Sequence, residues 1–314
     1  MKKTLTSLMM AGFVAFGAEA QTLNVVTDNI TYAFPAAQTG NMTYQNGESL
    51  TIMGKTFSVS DITKMYVDNS EVADNTVSVS YSGTNATMTI AGNVARYVTP
   101  TITHAHVGIV QSSDVGDDTC GEVTYSLSGT STDGEFTMEG SYKASLELNG
   151  LALTNPSGAP LNIQDGKRIS LSVKKSTENT LTDAADGDWK GTIVCKGHLE
   201  LKGKGTLNVY GYTAHGIYAK EYVEMKNCTV NVLAAVKDGI NCNQYFLMES
   251  GELNISGVAD DGVQVSYKDD TERDEEDTGS LTVKGGTITA TVTGTCTKGL
   301  KAEGDLTISD GTIT

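Results

Sequence analysis

The feature that most constrains this chain is a fixed interval. "TAHGIYAK" at 213–220, "VKDGINCN" at 236–243 and "ADDGVQVS" at 259–266 stand 23 residues apart. Each places a glycine, then an aliphatic, then a small apolar residue two positions on. Whole segments align on that interval: 198–220, 221–243, 244–266 and, after an acidic insertion, 279–303. Val223, Phe246 and Leu281 share a column, as do Met225, Met248 and Val283, and Val230, Leu253 and Ile288. Ile217, Ile240, Val263 and Leu300 share another. Within each segment apolar and polar residues alternate, which is strand periodicity. A period in the twenties with three short alternating runs is the mark of a β-solenoid. Three strands per coil around one interior predict an all-β chain folded as a parallel β-helix. The leucine-rich alternative lacks its L-x-x-L-x-L pattern.

Stacked coils bring equivalent residues about 4.8 Å apart. Gly216, Gly239, Gly262 and Gly299 then line up at a corner where positive φ or close packing excludes a Cβ. Cys195 and Cys242 fall in one inward column with Ala219 between them, too far apart for a disulfide. Leu146 and Leu148 precede Ile169 and Leu171 by 23 residues, which extends the pattern upstream. The solenoid is placed at 101–314. The last segment, "GDLTISDGTIT", fills only part of a coil, so the solenoid is expected to be incomplete at its C-terminus. Residues 21–100 lack the interval but hold alternating strands with "NG", "MGK" and "SGTN" turns, and predict a small antiparallel β domain capping the solenoid.

Residues 1–20 predict a signal peptide: a charged "MKK", an apolar "LTSLMMAGFVAFG" and an "AEA" cleavage site ending at Ala20. No other apolar run is long enough for a membrane span. The expected location is secreted: periplasmic, cell-surface or extracellular. The formal charge of −16 disfavours nucleic acid and anionic membranes and favours cations such as calcium. Five cysteines form no C-x-x-C pair, which argues against structural zinc.

"YSLSGTSTDGEF", "LELNGLALTNPSGAPLNI", "STENTLTD", "LKGKGTLNV" and the corners "KDGIN" and "DDGVQ" resemble a secreted bacterial carbohydrate-binding family with a pectate-lyase-like β-helix, over residues 122–314. The resemblance implies a right-handed parallel β-helix, calcium on corner aspartates, and binding of plant-type or acidic polysaccharides without catalysis. Corners in that family mostly read D-D-G. Here the column runs His215, Asp238, Asp261, Lys298, preceded by Ala214, Lys237, Asp260, Thr297.

Asp238 above Asp261, both expected at the surface of the corner, is a charge conflict of about 3 kcal/mol before screening. A calcium ion between them, helped by Asp260, resolves it. So does a ladder of Lys237 with Asp260 and Lys298 with Asp261. The loop "YKDDTERDEEDT", 267–278, reads as a solvated acidic loop, a second calcium site or a flap. After each corner an outward face predicts a sugar site: Tyr218, Asn241, Gln264 and Lys301 in one column, Lys220 and Asn243 in the next. Aromatic faces stack on pyranose C–H surfaces and amides bind hydroxyls, although solvated polar ladders have the same look. Asn208, Asn231 and Asn254 read as a structural amide ladder on another face.

A calcium-dependent polysaccharide lyase is the alternative, since Lys220, Lys298 and Lys301 could serve as the base that takes a uronate C5 proton. No aspartate cluster for hydrolysis follows the corners. A third alternative is an adhesin-like β-helix with no glycan ligand.

Overall fold

The structure is a computed structural model and describes residues 21–269 and 271–314; the leader expected at 1–20 lies outside them. It is all-β, and most strand pairs from residue 106 onward are parallel. From Ala144 the chain passes repeatedly through three ladders, and one such pass is called a coil. The first ladder runs through Ile169–Val173, Leu199–Gly203, Val223–Lys226, Tyr245–Met248, Ser280–Val283 and Leu306–Ile308. The second runs through Glu178–Asp183, Thr206–Tyr210, Thr229–Ala234, Glu252–Val258, Thr287–Val292 and Thr312–Ile313. The third starts earlier, at His106–Gln111, and continues through Glu135–Glu139, Leu161–Ile163, Gly191–Cys195, His215–Ala219, Ile240–Cys242, Val263–Val265 and Leu300–Ala302.

The registers are those of the 23-residue interval where it is regular. Ile217 pairs with Ile240 and Ile240 with Val263, and all three are fully buried. Cys195, Ala219 and Cys242 follow in the same inward column, and the cysteines are free thiols. Further upstream the interval differs. Leu146 pairs with Leu171, two residues beyond the partner that a strict 23-residue step assigns. The shift is an even number, so the same side chains still face inward. Each buried aliphatic contributes about 1.5–3 kcal/mol by leaving water, which is what holds one coil on the next.

Gly216, Gly239 and Gly262 are required by packing rather than by φ, whereas Gly299 has only an ordinary contact with Ala290 at 3.4 Å. A Cβ on Gly216 would lie 2.7 Å from the Gly239 carbonyl oxygen, and one on Gly239 would lie 2.6 Å from that of Gly262. None of Gly216, Gly239, Gly262 or Gly299 has positive φ.

Residues 22–91 form a mainly antiparallel set. Thr22–Thr27 pairs with Ile30–Pro35 and Lys64–Asp68, and Thr76–Ser82 pairs with Asn85–Ala91. Thr76–Ser82 also runs parallel to Val123–Ser131, which continues in parallel with Ala144–Asn155. The N-terminal strands are thus hydrogen-bonded, through Thr76–Ser82, to the start of the ladders.

Candidate functional site

The corner column is a relay of backbone capping. The Asp238 N–H donates to Nδ1 of His215 at 3.3 Å, the Asp261 N–H to Oδ1 of Asp238 at 3.1 Å, and the Lys298 N–H to Oδ1 of Asp261 at 2.8 Å. Each corner side chain therefore caps an amide of the next coil, an amide that the sharp bend withdraws from the ladders. Asn241 Nδ2 donates to Oδ2 of Asp238 at 2.9 Å, and His215 Nδ1 lies 3.2 Å from the same oxygen, so the ring donates to Oδ2 when Nδ1 carries a proton and accepts the Asp238 N–H when it does not. Both aspartates are buried, 2% and 1% exposed. This corrects the expectation that Asp238 lies at the surface of the corner. Burial alone would raise the Asp238 carboxyl. Its contacts with His215, Asn241 and the Asp261 amide outweigh that and hold it below the ordinary aspartate value.

The cation at this corner is Lys301, whose Nζ is 2.8 Å from Oδ2 of Asp261. That contact raises the lysine's pKa. Lys298, expected to pair with Asp261, contributes its backbone N–H instead, and its Nζ donates to the Cys296 carbonyl at 3.0 Å. Oxygens of Asp238, Asp260 and Asp261 lie within 4.8 Å of one another. Three converging hard donors suit calcium. Lys301 already neutralises one of them, so a metal there would exchange with its ammonium.

The expected sugar face is the outward side of the third ladder. Thr137, Asn162, Val194, Tyr218, Asn241, Gln264 and Lys301 follow one another in register along it. Tyr218 and Asn241 are each only 9% exposed. Lys190 lies over the Tyr218 ring, 4.7 Å from its centroid, and Asn241 is bonded to Asp238. Lys301 Nζ donates to Oε1 of Gln264 at 3.1 Å, and Gln264 Nε2 to Ser266 at 3.0 Å. Lys220 pairs with Glu272 at 2.8 Å, a contact that raises the lysine's pKa. Asn243 is half-buried beside it. From Tyr218 to Lys301 the row is therefore polar with its side chains held in place, and Val194 is an apolar break between Asn162 and Tyr218.

The acidic segment is exposed at residues 269 and 271–276, as a solvated loop would be, and is also tied to the coils by ion pairs. Lys268, 5% exposed at its side chain, pairs with Glu221 at 2.8 Å and Asp274 at 2.7 Å. Asp274 also accepts from Gln244, and Glu276 lies 3.3 Å from His198. His198, Tyr222 and Tyr245 stack beneath it at 4.4 and 4.6 Å. The segment reaches back from the coil at Ser266 to the coil at His198. A 23-residue comparison shows the extra length but not where it lands. On the other face, Asn254 donates to Asn231 and Asn231 to Asn208, at 2.9 and 2.8 Å, the expected amide ladder.

One group was missed by pattern reading. Between Asp183 and Gly191 the chain leaves the ladders and carries Trp189, whose indole N–H donates to Oδ2 of Asp183 at 2.8 Å. The signal was present: the step from Ile163 to its partner Cys195 is 32 residues, and the excess holds the chain's single tryptophan.

A family model described as carbohydrate-binding domain-containing protein matches residues 118–314. A carbohydrate-binding domain-containing protein of Acetivibrio thermocellus is 28% identical over 103 residues, 30% of this chain. The match spans 36% of that relative, about a third of its length. Among solved structures, a polysaccharide lyase-like protein from C. thermocellum, determined as a gadolinium derivative, superposes with a TM-score of 0.57. The identity is 21%, with 76% of this chain and 99% of that one covered, a likeness of fold. Among the described residues no helix is long and apolar enough to cross a membrane.

Proposed function

We infer that this chain, which belongs to the carbohydrate-binding domain-containing protein family, is a secreted, non-catalytic polysaccharide-binding protein built on a right-handed parallel β-helix. The observation that carries the reading is the ordered outward row from Tyr218 to Lys301, which lies wholly within the matched residues. An amide, a phenol and an ammonium at strand spacing, pre-positioned by their neighbours, suit a linear chain of plant-type or acidic sugar laid along the ladder. Lys301 and Lys220 would offer their ammonium groups to a uronate carboxylate in exchange with Asp261 and Glu272. Calcium, held by Asp238, Asp260 and Asp261 in exchange with Lys301, would add a further positive charge at the same corner.

The non-catalytic reading is favoured over a lyase by the state of Lys220 and Lys301, two of the three candidate bases; the third, Lys298, donates its Nζ to the Cys296 carbonyl. A general base must be unprotonated near neutral pH. Lys220 and Lys301 are each ion-paired, with pKa values raised by Glu272 and Asp261. The leader at 1–20 supports export.

The test is a glycan array followed by depletion from solution with insoluble polysaccharide. Retention on at least one plant-type or acidic glycan is expected, with no rise in the ultraviolet absorbance of an unsaturated uronate. Failure to bind any glycan would turn the reading toward an adhesin-like structural β-helix. Growth of that absorbance would turn it toward a lyase.

A further inference from the structure

We propose that Trp189 and Tyr212 form a stacking subsite for a neutral, equatorially substituted pyranose, placed beside Tyr218 of the outward row. The proposal rests on the polysaccharide-binding reading and deepens it. Both residues are anchored to one carboxylate. Asp183, 2% exposed, accepts the Trp189 indole N–H on Oδ2 and the Tyr212 backbone N–H on Oδ1. The Thr213 hydroxyl closes the same junction by donating to the Ala184 carbonyl. The two residues come from successive coils, and Asp183 fixes the Trp189 ring and the Tyr212 backbone at one corner.

The rings are not used up by the core. Tyr212 is 46% exposed, and Trp189 is partly exposed with its ring laid over Gly187, where a Cβ would come within 2.1 Å of it. A flat indole packed on its own loop by one face and held at its N–H by a buried acid has little rotational freedom. Such a ring presents apolar area at low entropic cost, which suits the C–H face of a pyranose. The next residue, Lys190, bonds through Nζ to the Tyr218 hydroxyl at 3.2 Å, so the segment is tied to the outward row.

The ligand class follows from the charges around the tryptophan. Asp186 and Asp188 precede Trp189 and are exposed, while the cation that follows it, Lys190, is directed to the Tyr218 hydroxyl and ring. Carboxylates accept hydrogen bonds from sugar hydroxyls but repel a uronate. The subsite thus selects neutral units, whereas the lysines further along the row suit acidic ones.

Trp189 is the chain's one tryptophan, so its emission reports on this site alone. The probes are cellohexaose and xylohexaose, with hexagalacturonate as the anionic chain of equal length. At least one neutral hexamer should shift the emission to the blue, saturably, while hexagalacturonate at equal concentration leaves it unchanged. Tyr212→Ala should weaken that neutral hexamer about tenfold, and Tyr212→Phe should bind it within about twofold of wild type. Tyr212 is at the surface, so both variants should melt with the wild type.

Three results would overturn the proposal. Neither neutral hexamer shifting the emission, while the array shows glycan binding, removes the subsite and leaves the polysaccharide reading standing. An equal shift with hexagalacturonate removes the neutral selectivity. No glycan bound anywhere on the array removes both the reading and the subsite that rests on it.

Discussion

Asp261 donates its backbone N–H to Oδ1 of Asp238 at 3.1 Å, and its own Oδ1 accepts the N–H of Lys298 at 2.8 Å. The charge conflict between two stacked aspartates is thus met by the backbone: each carboxylate faces an amide of the next coil. The corner holds its shape through these bonds, and any metal is additional to them.

Asp238→Ala should therefore destabilise the fold rather than only silence a metal. It strands the buried Asp261 N–H and Asn241 Nδ2, at about 1–3 kcal/mol each. Asp238→Asn keeps an acceptor for the amide and should cost less. Urea unfolding of the three proteins checks the order. Asp238 has a depressed pKa in the fold. Its stabilisation is present above the unfolded value of about 3.9 and is lost as pH falls through the lower folded value. The wild-type advantage over Asp238→Asn should be flat above about pH 5 and should shrink below about pH 4.

Lys301→Gln should strengthen calcium binding, because it removes the ammonium beside Asp261. Calcium at 100 times its dissociation constant would add about 2.7 kcal/mol to stability. The melting temperature of Lys301→Gln should rise more with millimolar calcium than that of wild type, and chelator should cancel the difference. Equal melting with calcium and with chelator, in both proteins, would remove the metal from the proposal.

Lys268→Met should release the acidic segment. It leaves Glu221 and Asp274 without their shared ammonium. Asp274 is half-exposed, which places the loss near the low end for such pairs, about 2 kcal/mol. Limited trypsin digestion should cut faster at Arg273 in the variant. Unchanged cleavage would mean that the Gln244, His198 and Lys220 contacts suffice to hold the segment.

Gly239→Ala and Gly166→Ala should separate by sign of space. The first places a Cβ 2.6 Å from the Gly262 carbonyl oxygen and 3.0 Å from Ile255, an overpacking cost of about 1–3 kcal/mol. The second meets nothing within 4 Å and has no positive φ, so it should be neutral or slightly stabilising. Thermal melts of the pair decide it.

The all-β class and the alignment of Ile217 with Ile240 and Val263 were legible because strand alternation and a fixed interval are one-dimensional properties. The amide ladder of Asn208, Asn231 and Asn254 was legible for the same reason: equal spacing along the chain becomes stacking in space. Three things were decided only by the folded chain. Asp238 is buried rather than exposed, because a corner side chain turns back under the next coil to cap its amide. The cation on Asp261 is Lys301, three residues beyond Lys298, because the corner bend aims the later side chain at the carboxylate. Glu221 meets Lys268, and Trp189 meets Tyr212 through Asp183, because an excursion from a periodic chain folds back where hydrogen bonds and charges find partners. Its landing place depends on distance in three dimensions, and no interval along the sequence encodes that.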